Sequence, residues 1–404
     1  MLNLPTDNYD VIIAGGGPAG ASSAIHLARG GTRVLLLEQK KFPREKLCGE
    51  FISPECQTHF EKLGVVGAMI ASGPALLDET VFYSSKGHHV GVPSKWFGGG
   101  GAAFGLSRAV MDEVLLRSAR DNGVVVHEGA SITEPVLDGE RVAGVRVKVD
   151  GQHLEFRAPI TIDATGRGRI LSRKITQGNA TSKRPNLVAF KAHFKKTKVA
   201  PGACEIYFYP GGYGGLSTIE AGTSNLCFII AAEHVKRCNS DPEAVLREYV
   251  MKNRRAAETL ETAEVCSEWL SASWERFGRQ RPSPAPGLLA IGDSAAFIDP
   301  FTGSGMLMAL ESGELVAQVV LRAARSSHRS NGDLESDYTA SYRRAFDSRL
   351  RICGLLRRAA FSPRLAELGI AICGASERFR NRLARATRAH PKSHKFLPHK
   401  SLLE

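Results

Sequence analysis

The chain has 404 residues, 43% of them hydrophobic and 23% charged. That is an ordinary globular composition, long enough for a large core and two domains. Its apolar runs are too short to span a membrane and no signal-peptide pattern precedes the first strand, so a cytoplasmic protein is expected. The net charge of +12 is uneven, with 18 basic against 7 acidic residues from Leu321 to Glu404. Eight scattered cysteines without a C-x-x-C pair argue against a disulfide scaffold and leave no metal site expected.

Tyr9 to Gly20 reads as a strand, a glycine turn and the start of a helix that runs to about Arg29. Gly15, Gly17 and Gly20 match the G-x-G-x-x-G spacing, with Ala19 just before the last. The first two glycines serve the tight turn and the close approach of a diphosphate, and the third serves helix packing. The next strand, Thr32 to Glu38, ends in an acid where a ribose-binding carboxylate belongs. Dinucleotide binding is therefore expected.

Lys40 to Glu50 is a charged loop containing Pro43 and ending near Cys48-Gly49. Cys48 by itself reads either as a cofactor neighbour or as a small buried apolar residue. Strands follow between Leu77 and Val92, with the His88-His89 pair in one of them, its rings facing opposite sides. The glycine run Gly98 to Gly101 reads equally as a mobile lid or a plain loop. Ser107 is a plausible N-cap for an amphipathic helix starting at Arg108. Arg141 to Val149 and Gln152 to Arg157 form a hairpin across Asp150-Gly151. Ile160 to Asp163 is a third buried strand, ending in Asp163-Ala164-Thr165-Gly166.

From about Asn186 to Trp274 the pattern becomes antiparallel and β-rich, with one helix near Pro242 to Lys252. Pro210 to Gly215 reads as a tight turn, and Tyr207, Tyr209 and Tyr213 around it are candidates for a substrate pocket. The run Leu288 to Ile291 is a strand ending at Gly292-Asp293, and Pro300-Phe-Thr-Gly303-Ser304-Gly305-Met306 is a turn that opens a helix. A carboxylate at a strand end can accept from the hydroxyls of a sugar-like chain. Gly303 and Gly305 let bare backbone approach a flat ligand, and the helix N-terminus favours negative charge there. Beyond Leu321 the chain is helical and basic, and Pro391 to Glu404 reads as a frayed tail.

These three signatures, Gly15 to Gly20 with Glu38, Asp163 to Gly166, and Gly292-Asp293 with Pro300 to Gly305, together resemble the FAD-dependent oxidoreductases. That superfamily includes aromatic hydroxylases, squalene-type epoxidases, geranylgeranyl reductases and flavin halogenases. The resemblance implies an α/β fold with a Rossmann-like FAD-binding domain assembled from 1–76, 104–184 and 276–330. A β-rich substrate domain, 77–103 and 185–275, and a helical basic region, 331–404, complete the expected architecture. It implies non-covalent FAD with NAD(P)H as reductant, and it assigns Arg108 to the cofactor. Lys46-Leu47-Cys48-Gly49-Glu50 is similar to the Lys-x-Cys-Gly segment of geranylgeranyl reductases, which places Cys48 near the flavin. Cys48, Pro300, Gly303 and Gly305 are the flavin-proximal candidates, and no catalytic acid or base stands out.

Thr302-Gly303-Ser304-Gly305-Met306 is similar to epoxidases and ring hydroxylases rather than to the Thr-Gly-Glu-Gly of reductases. The expected reaction is therefore an O2-dependent monooxygenation of a small apolar substrate, aromatic, polyketide or isoprenoid-like. Saturation of isolated C=C bonds is the alternative, and a non-enzymatic flavoprotein a third class. Halogenases carry Trp-x-Trp-x-Ile-Pro, which Trp96, Trp269 and Trp274 cannot supply. The basic C-terminal region carries no nucleic-acid motif. It reads as a solvated face or as a peripheral contact with an anionic membrane.

Overall fold

Five short strands lie parallel in one sheet, in the order Leu288–Ala290, Ile160–Asp163, Val11–Ala14, Val34–Glu38, Val125–Glu128. The computed structural model describes residues 9–98, 101–176, 186–274, 277–325 and 333–388. The two central strands that follow the N-terminus, Val11–Ala14 and Val34–Glu38, are buried at every position. A parallel strand covered on both faces needs such unbroken apolar runs. Register pairs Ala14 with Asp163 and Asp163 with Ala290. The three sequence signatures therefore leave the sheet side by side at its C-terminal edge, where open α/β sheets bind ligands.

One face of this sheet carries the helix Pro18–Arg29 and, against it, the long helix Gly305–Ala324. Their contact depends on Gly313, where a Cβ would stand 2.6 Å from the Ala19 carbonyl oxygen and 2.9 Å from the Ser22 side chain. Ser22 Oγ donates to the Leu310 carbonyl across the same contact (3.1 Å). The other face is closed by a three-stranded sheet, Ser131–Asp138, Arg141–Val149 and Gln152–Arg157. The expected hairpin is present, and Ser131–Asp138 adds a strand not expected from the sequence.

The second large sheet runs Glu264–Val265, Leu187–Lys195, Ser224–Ala231, Gly212–Thr218, Ala203–Tyr209, Glu79–Tyr83, His89–Pro93, and Leu270–Trp274 also pairs with Leu187–Lys195. Two expectations are corrected here. Gly212–Thr218 is a strand, so the turn closes at Pro210-Gly211 alone. Its glycines are required by close packing: a Cβ on Gly214 would meet the Phe228 side chain at 2.7 Å. Three α-helices, Ala232–Arg237, Pro242–Glu248 and Arg254–Leu260, with the 3-10 segment Val250–Lys252, replace the single expected helix. They cover the sheet face bearing Phe190, Phe194, Tyr207, Tyr209 and Phe228. His88 precedes its strand, and both His88 and His89 are exposed.

The C-terminal region is helical, as Asp333–Ala360, Pro363–Ala375 and Glu377–Ala386. Two glycines of the Gly98 to Gly101 run and the segment from Pro391 onward lie outside the described residues.

Asp163, expected among the cofactor ligands, is instead fully buried, and its carboxylate is taken up by the protein. Oδ1 accepts from the Thr165 N–H (3.1 Å) and hydroxyl (2.6 Å) and from Ser294 Oγ (3.2 Å). Oδ2 accepts from the Ser172 N–H (2.9 Å) and hydroxyl (2.6 Å). This one group ties the Ala164–Gly166 loop to the Asp293-Ser294 turn. Asp163→Ala leaves several buried donors unpaired, at about 1–3 kcal/mol each. A clearly lowered melting temperature in a thermal scan is expected, whether or not FAD is added.

Candidate active site

The cleft opens where the glycine turn meets the Asp163–Gly166 and Gly292-Asp293 loops. Gly15 has φ of +107° and its Cβ would collide with the Ala164 carbonyl. A Cβ on Gly20 would in turn collide with the Gly15 carbonyl. Both glycines are required by the protein's own packing. Gly17 differs: its Cβ would find only Arg44 Nη2 at 3.7 Å and Arg108 Nη2 at 3.9 Å, ordinary contacts. The open side of Gly17 is thus faced by two guanidinium groups at the N-terminus of the Pro18–Arg29 helix, an arrangement suited to a diphosphate.

Glu38, buried at the end of its strand, accepts from the Gly16 N–H (2.8 Å) and the Lys40 N–H (2.9 Å). It retains acceptor capacity for a sugar hydroxyl. Ser107 caps its helix as expected, accepting from the Val110 N–H at 3.2 Å. Arg108, first in that helix, is fixed by Asp112 through Nε (2.8 Å) and Nη2 (2.6 Å), and Asp112 also holds Arg44 at 2.9 Å. Burial works against its charge, but Asp112 more than offsets this and raises the Arg108 pKa.

Lys46 and Asp293 face one another across the deeper cleft. Both lie deep among protein atoms yet keep accessible surface, and neither makes a hydrogen bond or close ion pair with the described residues. Burial, then Arg108 and Arg44, lower the Lys46 pKa to about 8, while Asp293 works to raise it. Burial raises that of Asp293 against the pull of Lys46, Arg167 and Arg108. Arg44, Lys46, Arg108 and Arg167 thus surround a space where Glu38, Asp112 and Asp293 are the nearby counter-charges. An anionic ligand with hydroxyl groups fits both the excess cation charge and the unengaged carboxylate. Lys46 was not among the expected site residues, although its segment was. A lysine in a charged loop looks like any solvated lysine until the loop folds over the sheet edge.

Cys48 also reaches this cleft. It is half-buried, close to Arg108, and its carbonyl accepts from Asn225 Nδ2 of the second sheet (3.1 Å). The turn after Asp299 brings Gly303 and Gly305 to the opposite wall. Gly303 adopts φ of +62°, and a Cβ there would press on the Phe51 ring at 3.1 Å. Gly305 has room, with Ile298 at 3.7 Å. Pro300 is exposed. The side chains of Ser304 and Met306 do not serve a ligand: Ser304 is fully buried and shares a hydrogen bond with Thr302 (2.8 Å), and Met306 packs in the core. Only their backbone can meet a cofactor. Gly166 lies beside Lys46, where a Cβ would be 3.6 Å from Nζ. Gly292, with φ of +55°, packs on Ala19, which is itself buried in the core.

The three tyrosines separate. Tyr207 donates to Glu205 (2.7 Å) and Tyr209 to the Ile229 carbonyl (3.0 Å), both within the helix-covered core. Strand alternation excludes them from the cleft. Tyr213 lies on the opposite face, donates to Asp299, and meets the Phe301 and Phe361 rings edge-on at 5.5 and 5.7 Å. Phe82, Phe208, Trp274 and Phe297 extend this aromatic wall, and Arg167 lies 5.0 Å over the Trp274 ring.

A family profile described as FAD dependent oxidoreductase matches residues 10–174. The chain is similar to that family over this stretch. It is 27% identical to the digeranylgeranylglycerophospholipid reductase of Methanosarcina acetivorans, over 83% of this chain and 81% of that one. It is 26% identical to the tryptophan 2-halogenase of Chondromyces crocatus over 79% of its own length, but spans only 62% of the halogenase. Among solved structures, flavin-dependent brominase Bmp2 superposes with a TM-score of 0.79 at 21% identity, covering 96% of this chain and 95% of that one. That likeness is one of fold.

A second buried charge cluster joins the two sheets. Lys191 Nζ lies 2.6 Å from both Glu45 and Glu50, and His193 Nε2 lies 2.8 Å from the other oxygen of Glu50. Glu50 also accepts from the Arg108 N–H (2.9 Å). Glu45, Glu50 and His193 have metal-ligand spacing, but the Lys191 ammonium already supplies the cation between the two carboxylates. Lys191 and His193 were missed because Leu187–Lys195 otherwise reads as a plain apolar strand.

This geometry leads to three predictions. The protein has room at Gly17, so Gly17→Val is expected to fold with an unchanged thermal midpoint yet purify without flavin absorbance. Asp293→Ala is expected to weaken FAD binding by roughly 1.5–3 kcal/mol, the value of a hydrogen bond to a charged acceptor. For Lys46, an anionic ligand favours the charged form and raises its pKa above the free value of about 8. Binding then takes up a proton, so FAD affinity is expected to fall as pH rises through about 8. Titration by flavin fluorescence between about pH 7 and pH 9 checks this, and Lys46→Met is expected to flatten the curve.

Proposed function

We propose that this flavoprotein is a monooxygenase that takes electrons from NAD(P)H and inserts one atom of O2 into a small apolar substrate. Bound FAD would supply the electron transfer and the activation of O2. The residues here do the rest. Arg44 and Arg108 would hold the diphosphate, Glu38 and Asp293 the hydroxyls, and Lys46 the negative charge. The Gly303–Gly305 backbone, at the start of the Gly305–Ala324 helix, would face the ring with N–H groups that stabilise its anionic reduced form.

The observation that carries the substrate class is the aromatic wall of Phe82, Phe208, Tyr213, Trp274, Phe297 and Phe301, set against that same turn. A wall of this kind binds an apolar ring or chain and excludes water from the reacting centre. Monooxygenation is preferred for the Thr302-Gly303-Ser304-Gly305-Met306 pattern, similar to that of hydroxylases and epoxidases.

Saturation of an isolated C=C bond is the second reading. It is supported by Cys48 at the cleft beside Arg108 and by the 27% identity to a lipid reductase. Halogenation is supported by relatives but not by the tryptophans. Trp269 packs in the helix-covered core, and Trp274 alone stands on the wall.

One assay separates the readings. NAD(P)H oxidation is followed with and without O2 on phenolic, polyketide and isoprenoid compounds, and the product is weighed by mass spectrometry. A gain of one oxygen, lost under anaerobiosis, is expected. A gain of two hydrogens without O2 transfers the assignment to reduction, and a halide-dependent product to halogenation.

A further inference from the structure

The arginines of the C-terminal region divide into two sets that the sequence does not distinguish. Arg349 pairs with Glu311 at 2.7 Å, Arg357 lies 4.3 Å over the Phe277 ring, Arg380 lies 5.4 Å over Trp96, and Arg388 4.0 Å over Phe97. These fasten the last helices to the body. Arg364, Arg378, Arg382 and Arg385 are exposed and make no ion pair with the described residues.

The apolar side chains show the same division. On the helix Pro363–Ala375, Ala366 and Ile370 are buried in the cluster that holds Tyr213, Phe208 and Trp274. Leu365, Leu368 and Ile372 recur at the i, i+3, i+7 spacing of one helix face and are 49%, 55% and 46% exposed. Leu355, 65% exposed, and Phe379, 47% exposed, extend the patch onto the neighbouring helices. Half of the exposed large hydrophobic residues described thus fall within 25 consecutive positions, 355–379, on three successive helices each packed on the next.

We propose that this face of the last helices docks on an anionic lipid bilayer, with the Pro363–Ala375 helix standing between the lipid and the aromatic wall. Charge decides among the possible occupants. A second copy related by a twofold axis would set this patch against itself and bring its unpaired arginines together. An anionic surface instead meets the arginines with opposite charge, while leucine, isoleucine and phenylalanine reach the acyl boundary. Among the described residues no helix is long and apolar enough to cross a membrane, so the contact is peripheral. Within the reading of an apolar substrate, the inner side of the same helix then favours compounds dissolved in the bilayer, such as a ring bearing an alkyl or isoprenoid chain.

Sedimentation of the full chain with vesicles of phosphatidylcholine, with and without phosphatidylserine, tests this without requiring turnover. Binding to the phosphatidylserine vesicles is expected, at least tenfold above phosphatidylcholine alone and falling steeply in high salt. Combined Leu365→Ser, Leu368→Ser and Ile372→Ser, and separately Arg378→Glu, Arg382→Glu and Arg385→Glu, are each expected to reduce binding about tenfold with flavin content retained. Should either set fail to fold, the lipid and salt dependence of the wild type decides alone. Absence of binding to both vesicle types, variants that bind like the wild type, or a wild-type dimer split by the leucine variant would each overturn the proposal. Failure here leaves the reaction assignment untouched, because that rests on product mass.

Discussion

The register of three parallel strands is the constraint on which the rest of the molecule depends. Pairing Ala14 with Asp163 and Asp163 with Ala290 sets three loops, distant in sequence, at one sheet edge. A parallel sheet can do this because each strand must cross over before returning, which leaves all its C-terminal ends on one side. The main chain thus brings the loops together, and the buried Asp163 carboxylate then ties two of them, Ala164–Gly166 and Asp293-Ser294, to one another. The cleft is the space they cannot fill.

Electrostatics sharpens that space into a binding site. The interior usually tolerates charge only when it is paired. Here Asp112 pairs with two guanidiniums, one of them shared with Glu38, while Lys46 and Asp293 are close enough to influence one another but do not touch. Such a pair is under tension. Lys46 is easier to deprotonate and Asp293 easier to protonate than in water, and a ligand carrying both anionic and hydroxyl groups relieves both. The protein without its cofactor therefore holds a recognition site at an electrostatic cost.

Much of this was legible in the sequence. The glycine spacing, Glu38 and the apolar strands declared the parallel sheet, because both signals are local. Ser107 as N-cap and the 141–157 hairpin were legible for the same reason. What was not legible depended on which face of a strand is covered. Tyr207 and Tyr213 are six residues apart and chemically identical, but a turn lies between them, and only the sheet's partners decide that one faces the covering helices and the other Phe301 and Phe361. Gly212–Thr218 was hidden because its glycines look like a turn, whereas they serve close packing on Phe228. Asp163 resembled a ligand because acids at strand ends often are; besides Thr165, its donors Ser172 and Ser294 are nine and 131 residues away. Lys191 and Glu50 were invisible singly, since each is costly to bury alone and becomes tolerable only with the other.

That last pair has a mechanical consequence. Lys191 and His193 belong to the second sheet, Glu50 to the segment bound to the Arg108 N–H on the cofactor side. The cluster behaves as a strut. Pulling the second sheet away would separate the Lys191 ammonium from the buried Glu50 carboxylate, a far costlier displacement than sliding an aliphatic contact. Relative displacement of the second sheet and the Glu50 segment is opposed at this point. The terminal helices are held differently, through small and apolar side chains such as Ala360, Ala366 and Ile370, a contact that can slide at far lower cost.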